Sequence, residues 1–266
     1  MRLAVFSDIH GNLTAFEAAW ADYQAVGGAD VIWFLGDLAA MGPFPGACIE
    51  RMMALANDAK AAAEADPGKR GAFRALSGNT DRYLVTGMKM RGKGAEKPED
   101  LPAFQAHIRS RDAVLNWSLA QLNWDEYAFL RQLEGECALD VPGFGRVIGY
   151  HAIPGDDEGY LTPQTPEEEA ADALLDREGR LAIGGHIHEQ MDRTLRTGWR
   201  VINVGSVGMS FQMPGRAQWG LFTFEGDQVH VDLRAVPYDL DAVIADVYAV
   251  GVPEPEWLTG YLRRDR

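Results

Sequence analysis

The sequence predicts a mixed α/β fold. Three observations carry this: short apolar runs that stop at Gly, Asp, Asn or His, helical apolar spacing between them, and one alternating segment with a tight-turn signal near the C-terminus. Runs that are apolar on consecutive residues suit strands buried on both faces. The alternating segment predicts a hairpin, so the sheet is not purely parallel.

RLAVFSD, ending at Asp8, predicts the first strand, and LTAFEAAWADYQAV over 13–26 predicts a helix. VIWFLGD, ending at Asp37, is the second strand, followed by an Ala- and Met-rich helix over 47–65 that lacks Pro. FRALSGN, ending at Asn79, is the third. The stretch from about 82 to 136 reads as a helical insertion beside the core: an exposed Gly/Pro-containing charged loop at 88–102, then helices over 103–133 carrying Trp117, Trp124 and Phe129. RVIGYHA reaches His151. A helix is expected over 167–176, with Thr165 as N-cap and Pro166 at its first position. LAIGGHIH then runs to His186 and His188, and WRVINVGS to Ser206. Residues 219–236 form the hairpin, turning at Glu225-Gly226-Asp227. A helical tail from 239 to 266 is broken at Pro253 and Pro255. At 266 residues the chain is expected to form a single domain, 1–266.

With 25 Lys and Arg against 39 Asp and Glu, the net charge is −14. Such a surface repels nucleic-acid backbones and anionic membranes, so neither extended nucleic-acid binding nor a membrane is expected. A small phosphorylated substrate remains compatible, because a bound divalent metal supplies local positive charge. Cys48 and Cys137 lie far apart in no CxxC pattern, as expected of reduced thiols in a cytoplasmic protein. No apolar run approaches the ~18 residues a spanning helix needs.

In open α/β sheets, ligands bind beyond the carboxyl ends of the strands. Asp8, His10, Asp37, Asn79, His151, His186 and His188 collect there, and they include four of the six histidines. His107 and His230 sit in a helical pattern and in the hairpin, where packing or exposure suffices. A carboxylate can bridge two cations while imidazoles and an amide oxygen complete each shell. In extended backbone, Asp8 and His10 would face the same way, as would His186 and His188. If the chain instead turns at Gly184-Gly185, the two rings diverge toward neighbouring ions. Taken singly, Asp8 could cap a helix, Asn79 could end a strand in a turn and His151 could be a satisfied core histidine.

The ordered set Asp8-Ile9-His10, Gly36-Asp37, Gly78-Asn79-Thr80-Asp81, His151 and Gly185-His186-Ile187-His188 resembles the motif set of the calcineurin-like metallophosphoesterase superfamily. Residues 36–50, 78–84, 201–208 and 236–247 are similar to its YfcE-type bacterial and archaeal phosphodiesterase branch. The resemblance implies a four-layer αββα sandwich (metallo-dependent phosphatase-like) with a dinuclear site at one edge. It further implies that Asp8, His10, Asp37 and His188 hold one metal, and that Asp37, Asn79, His151 and His186 hold the other. The implied activity is that of a metal-dependent phosphoester hydrolase, a phosphodiesterase foremost, using a metal-bridging hydroxide. The alternatives are a phosphomonoesterase or nucleotide phosphatase, and a non-catalytic metal-binding scaffold of the same fold. The ligand set suits two divalent ions among Mn²⁺, Fe²⁺, Ni²⁺, Co²⁺ and Zn²⁺.

Many relatives carry His where this chain has Thr80, and use it on the leaving group. A threonine hydroxyl does not titrate near neutrality, and losing positioned acid catalysis costs roughly 10²–10⁴-fold. No catalytic acid is therefore assigned. Thr80 is equally readable as the cap of a helix beginning near Asp81, and Asp81 as a helix-start carboxylate. Asn12 and Ser206 are candidate substrate contacts, with helix capping and turn chemistry as their rival readings. Selectivity is expected from loops 40–46, 84–102 and 152–164, with Tyr160 a candidate pocket residue.

Overall fold

The computed structural model describes residues 1–88 and 94–264, so part of the loop expected at 88–102, residues 89–93, and the last two residues of the tail lie outside the described residues. β1 (Arg2–Phe6) leads through α1 (Leu13–Ala25) to β2 (Val31–Phe34), then through α2 (Pro45–Ala65) to β3 (Phe73–Ala75). The three strands are parallel neighbours, joined by crossover helices as parallel strands require. Asn12 caps α1 by accepting from the Ala15 N–H, and Pro45 opens α2 where its missing N–H costs nothing.

α3 (Asn79–Thr86), α4 (Leu101–Ala120) and α5 (Trp124–Arg131) make up the helical stretch. A 3₁₀ turn at Pro98–Asp100 leads straight into α4, so the helix begins two residues before its expected start at 103. α4 and α5 are separated by Asn123, whose side chain accepts from the Asp125 and Glu126 N–H groups while Glu126 returns a bond to the Asn123 N–H. β4 (Glu136–Val141) and β5 (Gly145–Tyr150) form a hairpin, of which the sequence reading found only the second strand. α6 (Glu167–Asp172) is shorter than expected. Pro166, not Thr165, is its N-cap residue, and the Thr165 hydroxyl instead accepts from the Thr162 N–H. β6 (Leu181–Gly184) is followed by β7 (Gln190–Thr194), a strand the sequence reading did not find, and by β8 (Arg200–Val204). β9 (Arg216–Glu225) and β10 (Gln228–Pro237) are the expected hairpin. The tail is α7 (Leu240–Ala249) and α8 (Pro255–Arg263), separated around Pro253.

The strands form two five-stranded sheets, ordered β10-β9-β1-β2-β3 and β4-β5-β6-β8-β7. The strand period of two sorts each strand's residues between layers. Leu3, Val5, Trp33, Val147, Leu181, Ile183, Ile202 and Val204 are buried between the sheets. Ala4, Phe6 and Phe34 face α1 and α2 on the other side of the first sheet. Ile148, Tyr150, Ala182 and Val201 face α6 on the outer side of the second. The result is an αββα sandwich whose fourth layer is thin, a single short helix. A separate cluster, with Val114 of α4, Met209, Val243, Val247, Leu258 and Leu262, fixes α7 and α8 against α4 and the loop after β8. Among the described residues no helix is long and apolar enough to cross a membrane.

Candidate metal centre

The carboxyl ends of β1, β2, β5 and β6 and the start of α3 meet at one edge of the sandwich, and all seven candidate ligands lie there. The extended-backbone expectation is corrected. β1 ends at Phe6 and β6 at Gly184, and Asp8, His10, Asp37, His186 and His188 have φ of 56°, 52°, 55°, 71° and 57°. A non-glycine residue in this left-handed region costs on the order of 1–3 kcal/mol and persists only where its surroundings over-determine it. The surroundings do so here. The Asp8 N–H donates to Gly36 and the His10 N–H to Asp37, while the Asp8 carbonyl accepts from the Gly208 N–H and the Ser206 hydroxyl. The turn at Gly184-Gly185, the other possibility in the sequence, is the one realised.

His186 and His188 consequently part company. His188 Nε2 lies 3.2 Å from Asp8 Oδ1 and 3.0 Å from His10 Nε2. His186 Nδ1 lies 3.1 Å from Asn79 Oδ1, which is 3.0 Å from His151 Nε2. Asp37 Oδ2 stands between the two groups, 3.6 Å from His10 Nε2 and 3.5 Å from His151 Nε2. Each carboxylate is anchored by one oxygen and presents the other: Asp8 Oδ2 accepts from the His186 N–H at 2.9 Å, and Asp37 Oδ1 from the Thr80 N–H at 2.8 Å. Three imidazoles are anchored in the same manner, by Nδ1–H bonds to the carbonyls of Ala40 (His10, 2.9 Å), Leu35 (His151, 2.8 Å) and Met209 (His188, 2.7 Å). A carbonyl can only accept, so Nδ1 carries a proton and Nε2 is the atom turned inward, where it offers a lone pair whenever it is not itself protonated.

The electrostatics favour charged carboxylates. Burial works to raise the Asp8 pKa, but His188 outweighs it and Asp8 is pulled down to about 2. Asp37, likewise buried, is held well below the usual carboxylate range by His151 and His10. His151 is raised to about 10, because Asp37 overcomes the cost of burial, whereas burial and the neighbouring His151 lower His186 to about 4.

These residues fit divalent metal ions. Asp8 Oδ1 is a buried carboxylate oxygen with no hydrogen-bond donor, and the ring nitrogens of His10 and His188 point at each other. One cation satisfies all three. Asp8, His10 and His188 offer donor atoms within 4.8 Å of one another, as do Asp8, Asp37 and His151. Close backbone approach is part of the design: a Cβ on Gly78 would overlap the Asp37 carboxylate, and one on Gly185 would overlap Ser7 Oγ.

Four further sequence readings resolve. Thr80 does not cap a helix, because α3 starts at Asn79 with Gly78 as N-cap; its N–H serves Asp37 and its buried hydroxyl makes no hydrogen bond. Asp81 is a helix-start carboxylate, accepting from the Gly78 N–H, and it also accepts from the Leu38 and Ala39 N–H groups, tying the second strand's loop to α3. Asn12 caps α1 and donates to the Gly208 carbonyl, and Ser206 bridges the Asp8 carbonyl and the Met209 N–H. Both are buried, and these bonds are those of cap and turn residues. His107 packs against Trp257 and His230 is exposed in β10, away from the centre. The sequence reading missed Asn203, buried in β8, which donates to the Gly185 carbonyl and accepts from the Gly205 N–H. An Asn inside a Val-rich strand was the available signal, since buried polar residues need a reason.

Beside His151 opens a cavity of about 720 Å³, lined by Arg82, Val85, Leu130 and Ile153. The acidic loop there is partly neutralised: Arg82 holds Asp157 through two hydrogen bonds and reaches Glu158 at 2.6 Å.

The family model of the calcineurin-like phosphoesterase superfamily domain matches residues 1–226. No curated protein matches the chain. Among solved structures, a metallophosphoesterase from Sphaerobacter thermophilus is 22% identical, covering 99% of this chain and 98% of its own, with a TM-score of 0.69. A hypothetical protein from Pyrococcus horikoshii OT3 is 18% identical, covering 98% and 97%, with a TM-score of 0.73. At these identities the likeness is one of fold.

Proposed function

The chain belongs to the calcineurin-like phosphoesterase superfamily, and on that premise we propose that it hydrolyses phosphoesters with two divalent metal ions, phosphodiesters foremost. The observation that carries this reading is the position of Asp37. Its Oδ2 lies within 3.6 Å of His10 on one side and 3.5 Å of His151 on the other, so one carboxylate oxygen serves both donor groups. Asp8, His10 and His188 would hold one ion with Asp37, and Asn79, His151 and His186 the other. Bound there, a metal pair supplies Lewis acidity toward the phosphate oxygens and acidifies water.

The rest is done by the protein. Ala40, Leu35 and Met209 fix the tautomers of His10, His151 and His188 through their carbonyls. Thr80 contributes a backbone N–H that aims Asp37, and its hydroxyl, which does not titrate near neutrality, cannot protonate a leaving group. That favours esters whose leaving group departs without a proton, such as an aryl oxide or a nucleotide released through its phosphate, over those that release an alkyl alcohol, unless a bound metal assists the departure.

The test is hydrolysis of bis-p-nitrophenyl phosphate beside p-nitrophenyl phosphate by protein stripped of metal and reloaded with Mn²⁺, with Asp37→Asn as control. Metal-dependent turnover that favours the diester and is lost in Asp37→Asn is the expected result. Preference for the monoester would overturn the substrate class. An unaffected Asp37→Asn would overturn the site.

A further inference from the structure

Tyr160 is 61% exposed, yet its ring centroid lies 5.1 Å from that of His186, a candidate ligand. An aromatic ring left this open costs apolar hydration, and beside a site it offers a ligand one free face. Its backbone is well fixed. Leu161, the next residue, is buried against α6 and Leu174, and Thr162 and Thr165 close the following turn through hydroxyl bonds. The ring is therefore presented from a held position.

The opposite rim has a matching character. Phe211 packs 4.5 Å from His188, and the Arg264 guanidinium lies 3.5 Å from the Phe211 ring centroid. Arg264 follows α8, in the part of the chain beyond the family match at residue 226. Tyr261 of the same helix lies within electrostatic range of both Arg264 and Tyr160. By His151, whose ring lies 5.1 Å from that of His186, are Asp157 and Glu158, held by Arg82. The mouth thus has Tyr160 and paired carboxylates on the side of His186 and His151, and Phe211 with a guanidinium on the side of His188.

Resting on the reading of the centre as a phosphoesterase site, we propose that Tyr160 determines its specificity by stacking on the substrate's aromatic ring, so that the preferred esters are those of nucleosides. The ring is tilted by 54° to that of His186, and its exposed face takes the base. Such stacking is sequence-tolerant, because every base has a π-face. Tyr160 acts on binding and is not a catalytic residue.

The experiment compares adenosine 5′-monophosphate with ribose 5-phosphate, which shares the phosphate and lacks the base. Binding to the Mn²⁺-loaded protein is measured by calorimetry. The expected result is about tenfold tighter binding of the nucleotide. Tyr160→Leu should bring the nucleotide to the level of the sugar phosphate and leave the latter unchanged, and Tyr160→Phe should restore the difference. In turnover, Tyr160→Leu should raise KM for a dinucleotide with little change in kcat, and leave glycerophosphocholine unaffected. Metal content, measured for each variant, should equal that of wild type. Equal binding of the two ligands by wild type, absence of binding by both, or equal weakening of both in Tyr160→Leu would each overturn the proposal. Its failure is separable from that of the hydrolase reading. Diester turnover without base discrimination defeats Tyr160 alone, and base discrimination without turnover of any ester defeats the hydrolase alone.

Discussion

His10 and His188 face each other through their Nε2 atoms at 3.0 Å, while the Nδ1 of each is committed to a backbone carbonyl. Two neutral rings so anchored present lone pair to lone pair, which is repulsive unless a proton or cation lies between them. Burial lowers the His10 pKa against the raising pull of Asp37 and Asp8, so His10 carries that proton poorly, whereas a divalent cation satisfies both lone pairs and the neighbouring carboxylates together. Metal should therefore stabilise the fold. At a free metal concentration a hundred times Kd, the gain is about 2.7 kcal/mol. For a chain of this size that corresponds to roughly 5–10 °C in the thermal midpoint. Calorimetry of chelated and Mn²⁺-reloaded protein measures it. An unchanged midpoint with metal in excess would contradict the assignment of the centre.

Gly185→Ala should damage the centre more than the fold. Its Cβ would overlap Ser7 Oγ and come within 2.5 Å of Asp8 Oδ2, forcing apart the segment that carries His186 and the carboxylate that holds it. A metal-affinity loss of about 10–100-fold is expected, as for other perturbations of ligand support. Gly260→Ala in α8 is the control: its Cβ would meet nothing within 4 Å, and helix propensity predicts a gain of up to ~1 kcal/mol. Metal content after gel filtration, with circular dichroism for the fold, distinguishes them. Full metal retention by Gly185→Ala would show that the turn is more tolerant than its packing implies.

These two predictions draw on different layers of legibility. The residue types and their order at the strand ends were readable, because few chemistries call for Asp, His and Asn at successive strand ends. Their backbone was not. Alternation was expected to aim Asp8 and His10 together, whereas positive φ at five candidate ligands does the aiming, and it is set by bonds from Gly36, Gly208 and Ser206 that are distant in sequence. β4 and β7 escaped notice for a related reason. Both are edge strands with few buried residues, Cys137 and Val141 in one and Met191 in the other, so neither has the continuous apolar run of β1 or β6. The thin α6 layer ends early because the four residues after Asp172 are held in turns by 3₁₀-type bonds, such as that from the Leu174 N–H to the Ala171 carbonyl, which the apolar spacing did not distinguish from helix.

Thr80→Val tests whether the hydroxyl has any chemical part. The hydroxyl is buried without a hydrogen bond, while the N–H that serves Asp37 belongs to the backbone and survives the change. Replacing an unsatisfied buried hydroxyl by a methyl of the same shape should be neutral, or stabilising by up to ~1 kcal/mol. Diester turnover should stay within about threefold, since no positioned acid is removed. Urea midpoints and kcat/KM for bis-p-nitrophenyl phosphate provide the two readings. A loss of a hundredfold or more at unchanged stability would assign the hydroxyl a direct role on the substrate.

Away from the centre, Asp22 of α1 ties the first sheet to its helix layer. It accepts from Arg234 at 2.6 and 2.9 Å and from the Nε1–H of the buried Trp219 at 3.0 Å. The Arg234 hydrogen bonds, opposed by some burial, hold the Asp22 carboxyl below its ordinary value of 3.8. The folded state therefore favours the ionised form, and the contribution is fully present above that value and lost as pH falls through the lower folded one. Both partners are partly solvated, so Arg234→Met should cost only ~0.5–1 kcal/mol at pH 7. The gap between variant and wild type should narrow below about pH 4 as Asp22 takes up its proton. Urea midpoints of metal-free protein at pH 7, 5 and 3.5 measure it. A gap that persists undiminished at the lowest pH would mean that Arg234 acts by packing over the Trp219 ring, 5.5 Å from its guanidinium, rather than by charge.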